Sequence, residues 1–262
     1  MSDSVIEISG LRKTFRDFWF RPVAEAVNGI DLTVERGDVF GLLGPNGSGK
    51  STTIKMILGL LTPTGGTVNL FGLPPRSRAA RARLGYLPEL SYLHPFLTAR
   101  ETVLYYAGLS ELDGRTAKAR ADELLEQVGL KDHVNRAVGG FSKGMARRVA
   151  FASALVSRPE LLILDEPTSG LDPIGTREVK ELIGRLAADG MTILVTSHQL
   201  FDMQDVCSRV AILSHGKVVG SGRVADIVDA ASDKRHALED YFMSRLTSVD
   251  AAGADGRRVD AS

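Results

Sequence analysis

The stretch Gly44-Pro45-Asn46-Gly47-Ser48-Gly49-Lys50-Ser51-Thr52 constrains this chain more than any other. It matches G-x-x-x-x-G-K-[ST] and sits between an apolar run, Val39 to Leu43, and a segment with helical spacing at Ile54, Ile57, Leu58 and Leu61. A phosphate chain needs backbone N–H donors pointing inward with no side chains in the way, which accounts for Gly44, Gly47 and Gly49. A helix beginning near Lys50 adds the positive end of its dipole, and Lys50 adds a full charge. The Ser51 hydroxyl is a magnesium ligand in such loops. A Gly-rich turn with no ligand is the plainer reading, but strand and helix on the required sides favour a nucleotide-binding loop.

At 262 residues the chain is long enough for one large domain or two modest ones. Its 32 basic and 32 acidic residues balance, so the charge does not suggest a nucleic-acid partner. Met1-Ser2-Asp3-Ser4 lacks the basic start of a secretion signal, and no apolar run approaches the length that spans a bilayer, so a soluble protein is expected. Cys207 stands alone, which rules out an internal disulfide or a cysteine metal cluster and agrees with a reducing cytoplasm. A small buried hydrophobe is the simplest role for it.

In chain order, Val5 to Ile8 reads as a short strand, followed by the aromatic cluster Arg16-Asp17-Phe18-Trp19-Phe20-Arg21-Pro22. Val27 to Val34 alternates as a second strand, and Thr67 to Phe71 as another after the turn at Pro63, Gly65 and Gly66. Together they suggest an antiparallel edge beside a parallel core. Leu84 to Glu89 is a strand stopped by Pro88, and Thr98-Ala99-Arg100-Glu101 is a capping box opening a helix. A second helix is predicted from about Thr116 to Val128, and a third from Ser142, with Met145, Val149, Ala152 and Val156 buried. Leu161 to Leu164 is a strand buried on both faces, Asp172-Pro173 starts a helix, and Thr192 to Thr196 is a further buried strand. Arg209 to Leu213 and Lys217 to Val219 suggest a hairpin around His215-Gly216, with short helices near Val224 to Ala230 and His236 to Leu246. From about Ser248 the composition offers little to bury, so a disordered tail is expected.

Asp165-Glu166 follows the doubly buried strand at its C-terminal end, where ligands bind in open α/β sheets. Asp165 is placed to hold magnesium directly or through water, and Glu166 to orient or deprotonate the water that attacks a γ-phosphate. Alone, an Asp-Glu pair is more often a solvated turn. Behind four apolar residues and downstream of a phosphate loop it points to catalysis.

Asp165-Glu166-Pro167-Thr168-Ser169-Gly170-Leu171-Asp172-Pro173, followed by Thr196-Ser197-His198, resembles the nucleotide-binding subunit of ATP-binding cassette (ABC) transporters. The resemblance covers roughly Val5 to Gly222 and is greatest to the ATPase subunits of export-type systems, whose membrane subunits are separate chains. It implies an α/β fold: a P-loop ATPase core (1–88 and 159–222) with a mainly parallel sheet, an antiparallel β edge subdomain, and an inserted all-helical subdomain (89–158). A short helical extension (223–247) and the tail (248–262) would follow.

Phe141-Ser142-Lys143-Gly144-Met145 occupies the place of the family signature Leu-Ser-Gly-Gly-Gln, which in the family caps the γ-phosphate bound by the other subunit. ATP is then sandwiched between two chains, a second copy or a related subunit, in a head-to-tail dimer. A serine at a helix N-terminus suits that role, since it presents a hydroxyl and backbone N–H groups to an anion. Lys143 replaces a glycine and Met145 a glutamine; Lys143 either attracts phosphate or faces solvent. Glu89 stands where the family usually has the glutamine that touches magnesium, and its plainer reading is an exposed turn residue. His198 corresponds to the histidine that contacts the γ-phosphate, and Asp172 belongs to the same ATP-contacting set. Family members stack an aromatic on adenine shortly after the first strand; Phe15 fits that place, with Trp19 and Phe20 as rivals. Phe18-Trp19-Phe20 has a second reading, a hydrophobic patch against a partner.

The expected function is that of an energy-coupling ATPase using ATP and magnesium, peripheral on the cytoplasmic face of a membrane, that drives separate integral membrane subunits. Tyr92, Leu93, Phe96 and Leu97 are the candidate contact surface, with core packing as the alternative. A soluble mechanical ATPase acting on ribosomes or DNA is the other reading. It is disfavoured because this chain has a single cassette, no net charge and no heptad run. A small-molecule P-loop kinase leaves Ser142 to Gly144, Ser169 to Pro173 and His198 unexplained.

Overall fold

A computed structural model describes residues 3–256 of the chain. In chain order it opens with β1 (Ser4–Arg16), β2 (Pro22–Glu35), β3 (Val39–Leu43), α1 (Lys50–Ile57) and β4 (Gly65–Leu70). Next come α2 (Arg78–Arg81), β5 (Leu84–Leu87), α3 (Ala99–Leu109), α4 (Gly114–Gln127), two single 3-10 turns, α5 (Lys143–Leu155), β6 (Leu161–Asp165), α6 (Pro173–Ala188) and β7 (Thr192–Ser197). The chain ends with α7 (Leu200–Gln204), β8 (Arg209–Ser214), β9 (Lys217–Arg223), α8 (Val224–Ala230) and α9 (Ala237–Gly256). Its contacts divide into two compact units, one of residues up to Pro75 with those from Thr196 onward, the other Arg76–Val195. The division thus falls at 75/76 and 195/196, so β5, β6, α6 and most of β7 group with the helices between 89 and 158.

In the first unit β1 is the middle strand of a three-stranded antiparallel sheet ordered β2-β1-β4. Sequence alternation marks only its apolar centre, Val5 to Ile8 and Val27 to Val34. The ladder runs further, to Arg16 opposite Pro22, through mixed polar and apolar residues, exposed or half-buried but for Leu11 and Val27, and through several register shifts. Gly10, at φ 55, sits within the shift between Ile8 and Leu11, which explains why the period-2 signal stops there. Beside this sheet's chain segments, β3 pairs in parallel with β8, and β8 in antiparallel with β9, through a two-residue turn at His215-Gly216. All five residues of β3 are buried. Cys207 is buried too, and a Cβ added at Gly41 would lie 2.9 Å from its Sγ. Burial pushes the Cys207 thiol up to about 12.

The second unit places β5, β6 and β7 side by side, β5 and β6 in parallel register from Leu84 opposite Leu161 to Leu87 opposite Leu164. Its helices pack as α3 on α4 and α5. Each of the three begins with a side-chain cap. Thr98 and Glu101 form a reciprocal capping box, Asp113 accepts from the amides of Arg115 and Thr116, and Ser142 accepts from the amide of Met145. From Glu89 to Arg158 the described residues contain helices and turns but no strand. At the C-terminus α9 continues through Gly256, so residues 248–256, expected to be disordered, are helical; residues 257–262 lie outside the described residues.

Candidate functional site

In the first unit the buried strand β3 delivers the chain into the loop Gly44 to Gly49, and α1 begins at Lys50. Two glycines are required by their surroundings. A Cβ at Gly44 would collide with the Leu213 carbonyl and Ser48 Oγ. Gly49, at φ 107, caps α1 and brings its Cα so close to β2 that a Cβ would stand 2.5 Å from the Ala26 carbonyl oxygen. The buried Lys50 folds its ammonium back over the loop, donating to the carbonyls of Gly44 (2.7 Å) and Pro45 (3.2 Å). Its charge is thereby held inside the curve of the loop. Ser48 Oγ is buried with no hydrogen-bond partner, an orphaned polar atom within the loop. Glycine backbone, a buried cation and an unmatched hydroxyl are the donor set that a polyphosphate needs.

Ser51 and Thr52 lie on the first turn of α1, Ser51 exposed. The Gly44 amide donates to the Ser197 carbonyl at 3.4 Å, which places the exposed His198 next in chain to a residue bonded to the loop. Phe15 lies in the β1–β2 ladder opposite Ala24, its ring 41% exposed with Lys13 Nζ 5.4 Å from the centroid. Its rivals Trp19 and Phe20 stand on the turn beyond the end of the ladder.

The second unit carries the carboxylates. Every residue of β6 is buried, and Asp165 and Glu166 at its end are 8% exposed. Glu166 adopts φ 47, a left-handed conformation that costs a non-glycine residue about 1 kcal/mol or more. The turn after it is closed by the Ser169 amide on the Glu166 carbonyl, 3.2 Å. Asp172, exposed, caps α6 by accepting from the Gly175 amide at 2.8 Å. Ser142 caps α5, leaving Lys143 exposed; a Cβ on Gly170 would come 3.7 Å from Lys143 Nζ. Gly144 and Met145 are half-buried. The Glu89 side chain is exposed.

Arg147 is the residue that sequence reasoning missed. Only 8% exposed, it sends Nε to the carbonyl of Pro167 (3.1 Å) and Nη2 to those of Asp165 and Glu166 (both 3.1 Å). Nη1 reaches the carbonyls of Pro88 (2.5 Å) and Glu89 (3.0 Å) and the Ser91 hydroxyl (3.3 Å). One guanidinium therefore ties the helix that starts at Ser142 to the segment carrying Glu89 and to the end of β6. Burial pulls Arg147 down to about 10, opposed by the charges of Asp165, Glu89 and Tyr86, so it remains a cation at neutral pH. Tyr86 is pushed up to about 12, first by burial and then by Asp165. A signal was present in the spacing. Arg147 lies four and eight residues before the buried Phe151 and Leu155, so the apolar stripe of α5 passes through it.

The family model described as ABC transporter matches residues 27–169. An uncharacterized ABC transporter ATP-binding protein of Nostoc sp. is 43% identical over 228 residues, covering 86% of this chain and 68% of that one. The Nod factor export ATP-binding protein I of Burkholderia lata is 40% identical over 206 residues, covering 78% and 68%. Among solved structures, a dimeric ATP-binding cassette in a post-hydrolysis state, bound to ADP and Pi, superposes with a TM-score of 0.75 at 26% identity, covering 84% of this chain and 98% of the other. The chain thus spans about two thirds of these curated relatives and nearly all of that cassette.

Proposed function

This chain belongs to the ABC transporter ATP-binding family and is an ATPase subunit of that class, and from this premise we propose that it powers export through separate integral membrane subunits. The observation that carries the nucleotide half of the proposal is Lys50 Nζ held by the Gly44 and Pro45 carbonyls beside the unmatched Ser48 hydroxyl. Pro45, Asn46, Gly47, Ser48, Gly49, Lys50, Ser51 and Thr52 follow Gly44 as the phosphate loop, and Phe15 stacks on adenine. In this reading Ser51, Asp165 and Glu89 hold magnesium, which supplies charge neutralisation of the phosphates when bound. Glu166 orients or deprotonates the attacking water, and His198 contacts the γ-phosphate.

Ser142, Lys143, Gly144 and Met145, with Asp172, face the ATP held by a second subunit, so closure of two chains on two ATP and their reopening after hydrolysis produce the stroke. The dimeric cassette among the similar structures and the export role in the names of several relatives support this reading. Tyr92 and Phe96, exposed, and Leu93 and Leu97, half-buried, offer a surface to a membrane subunit. Beside them lies a cavity of about 350 Å³ lined by Tyr86, Tyr92, Leu93, Tyr106 and Leu109. No helix among the described residues is long and apolar enough to cross a membrane.

The direct experiment is a pull-down of the tagged chain from membranes in mild detergent, with the co-purifying subunits identified. An integral membrane protein of the transporter class is expected. Ribosomes or DNA in its place would overturn the proposal in favour of a mechanical ATPase.

A further inference from the structure

The turn joining β1 to β2 projects three consecutive aromatic side chains into water: Phe18 is 87%, Trp19 69% and Phe20 79% exposed, with Val23 at 68% beside them. Solvent exposure of so many large rings at one tip is costly unless something covers them. The tip is also rigidly built. Asp17 Oδ1 accepts from the amides of Trp19 and Arg21, both at 2.8 Å, and the Asp17 amide donates to the Arg21 carbonyl at 2.9 Å. The Phe20 amide donates to the Asp17 carbonyl, while Arg16 Nη1 donates to the Phe20 carbonyl at 2.8 Å. Phe20 itself is held at φ 60, and the Phe18 and Trp19 rings meet edge to face. These polar backbone groups are satisfied inside the turn, so moving the tip into a less polar medium leaves them paired.

Charge distinguishes between possible occupants. The whole chain is neutral, yet this end of the ladder holds Arg12, Lys13, Arg16 and Arg21 against Asp17 and Glu25, the last 3.9 Å from the Arg12 guanidinium, a local excess of two positive charges. Aromatic rings at a convex tip with a basic collar behind them match the two layers of a membrane surface, acyl boundary and anionic headgroups. A fluid bilayer accepts such a tip without a shaped pocket, whereas a folded partner would need one.

We propose that the β1–β2 turn is a membrane-contact element, in which Phe18, Trp19 and Phe20 enter the interfacial region of an anionic lipid bilayer while Arg16 and Arg21 meet its headgroups. The contact gives the subunit a second attachment to the bilayer besides any protein partner. It does not depend on the ATP-binding reading, and its failure would leave that reading intact.

Trp19 is the chain's single tryptophan, so its emission reports this turn and nothing else. The full chain is mixed with protein-free vesicles of phosphatidylcholine and phosphatidylglycerol in a 3:1 ratio at low salt. Expected are a blue shift of the emission and its quenching by lipids brominated high on the acyl chain. Neutral phosphatidylcholine vesicles, or 0.5 M salt, should weaken partition on the order of tenfold or more. A substitution at the ring with no part in the adenine reading, Phe18→Ser, should weaken it by about three- to tenfold while leaving ATPase activity in solution unchanged. Emission that stays at the water-exposed wavelength with anionic vesicles overturns the proposal. A shift seen only on adding a detergent-purified membrane subunit, with none on vesicles, also overturns it, and assigns the turn to a protein contact.

Discussion

Arg147 donates from Nη2 to the backbone carbonyl of Glu166 at 3.1 Å, holding from behind a residue whose φ of 47 is unfavourable for any side chain. The same guanidinium reaches the carbonyl of Glu89 at 3.0 Å. The residues proposed for catalysis and for magnesium thus share one backbone anchor, the Arg147 guanidinium.

Substituting Arg147 separates these roles. Arg147→Met removes the guanidinium donor from the carbonyls of Pro88, Glu89, Asp165, Glu166 and Pro167 and is expected to lower stability by about 2–4 kcal/mol, read from denaturant unfolding. Arg147→Lys keeps the charge but loses the planar fork. In that variant kcat should fall by about 10- to 100-fold while the KM for ATP moves by less than about threefold, because the phosphate loop lies in the other unit. Full kcat in a destabilised but folded variant would reduce Arg147 to a structural brace.

Lys50→Ala removes the cation held over the loop by Gly44 and Pro45. ATP hydrolysis should drop by at least about 100-fold, with circular dichroism unchanged. Wild-type turnover would refute the phosphate-loop assignment.

Glu166→Gln keeps the size and hydrogen-bonding capacity of the side chain and removes its basicity. Turnover should fall by about 100- to 10,000-fold while ATP still binds. Size-exclusion chromatography in ATP should then show a persistent dimer. Rapid hydrolysis by this variant would take the catalytic role from Glu166.

Glu89→Gln replaces one oxygen donor with another and deletes a charge. Magnesium-dependent hydrolysis should be retained within about threefold, with half-saturation displaced to higher magnesium as the site loses negative charge. Complete loss of activity would show that the carboxylate charge itself is required.

How far the chain could be read in advance depended on whether a feature is local. The loop from Gly44 to Thr52 is one contiguous segment, and the buried runs of β3 and β6 announce themselves without partners. Ser142, Thr98 and Asp172 were legible as helix starts because a cap is satisfied within three residues. Arg147 was not, since its acceptors lie 18 to 59 residues away and all but the Ser91 hydroxyl are backbone carbonyls, which carry no residue-type signal. The length of the β1–β2 ladder was hidden for a different reason. Beyond Leu11 it pairs Arg12 with Asn28, Lys13 with Val27, Thr14 with Glu25 and Phe15 with Ala24, a mixture of polar and apolar residues in which no alternation betrays the strand.

Cys207 bears on how these ideas can be examined. Its thiol is buried, has its pKa pushed up to about 12, and is the chain's one cysteine. Thiol-directed reagents act on the exposed thiolate, so at neutral pH they should leave Cys207 alone. A cysteine introduced at exposed Lys143 would then take a spin label or dye selectively in an otherwise unaltered background. Label-to-label distances across a pair of copies would follow closure in real time.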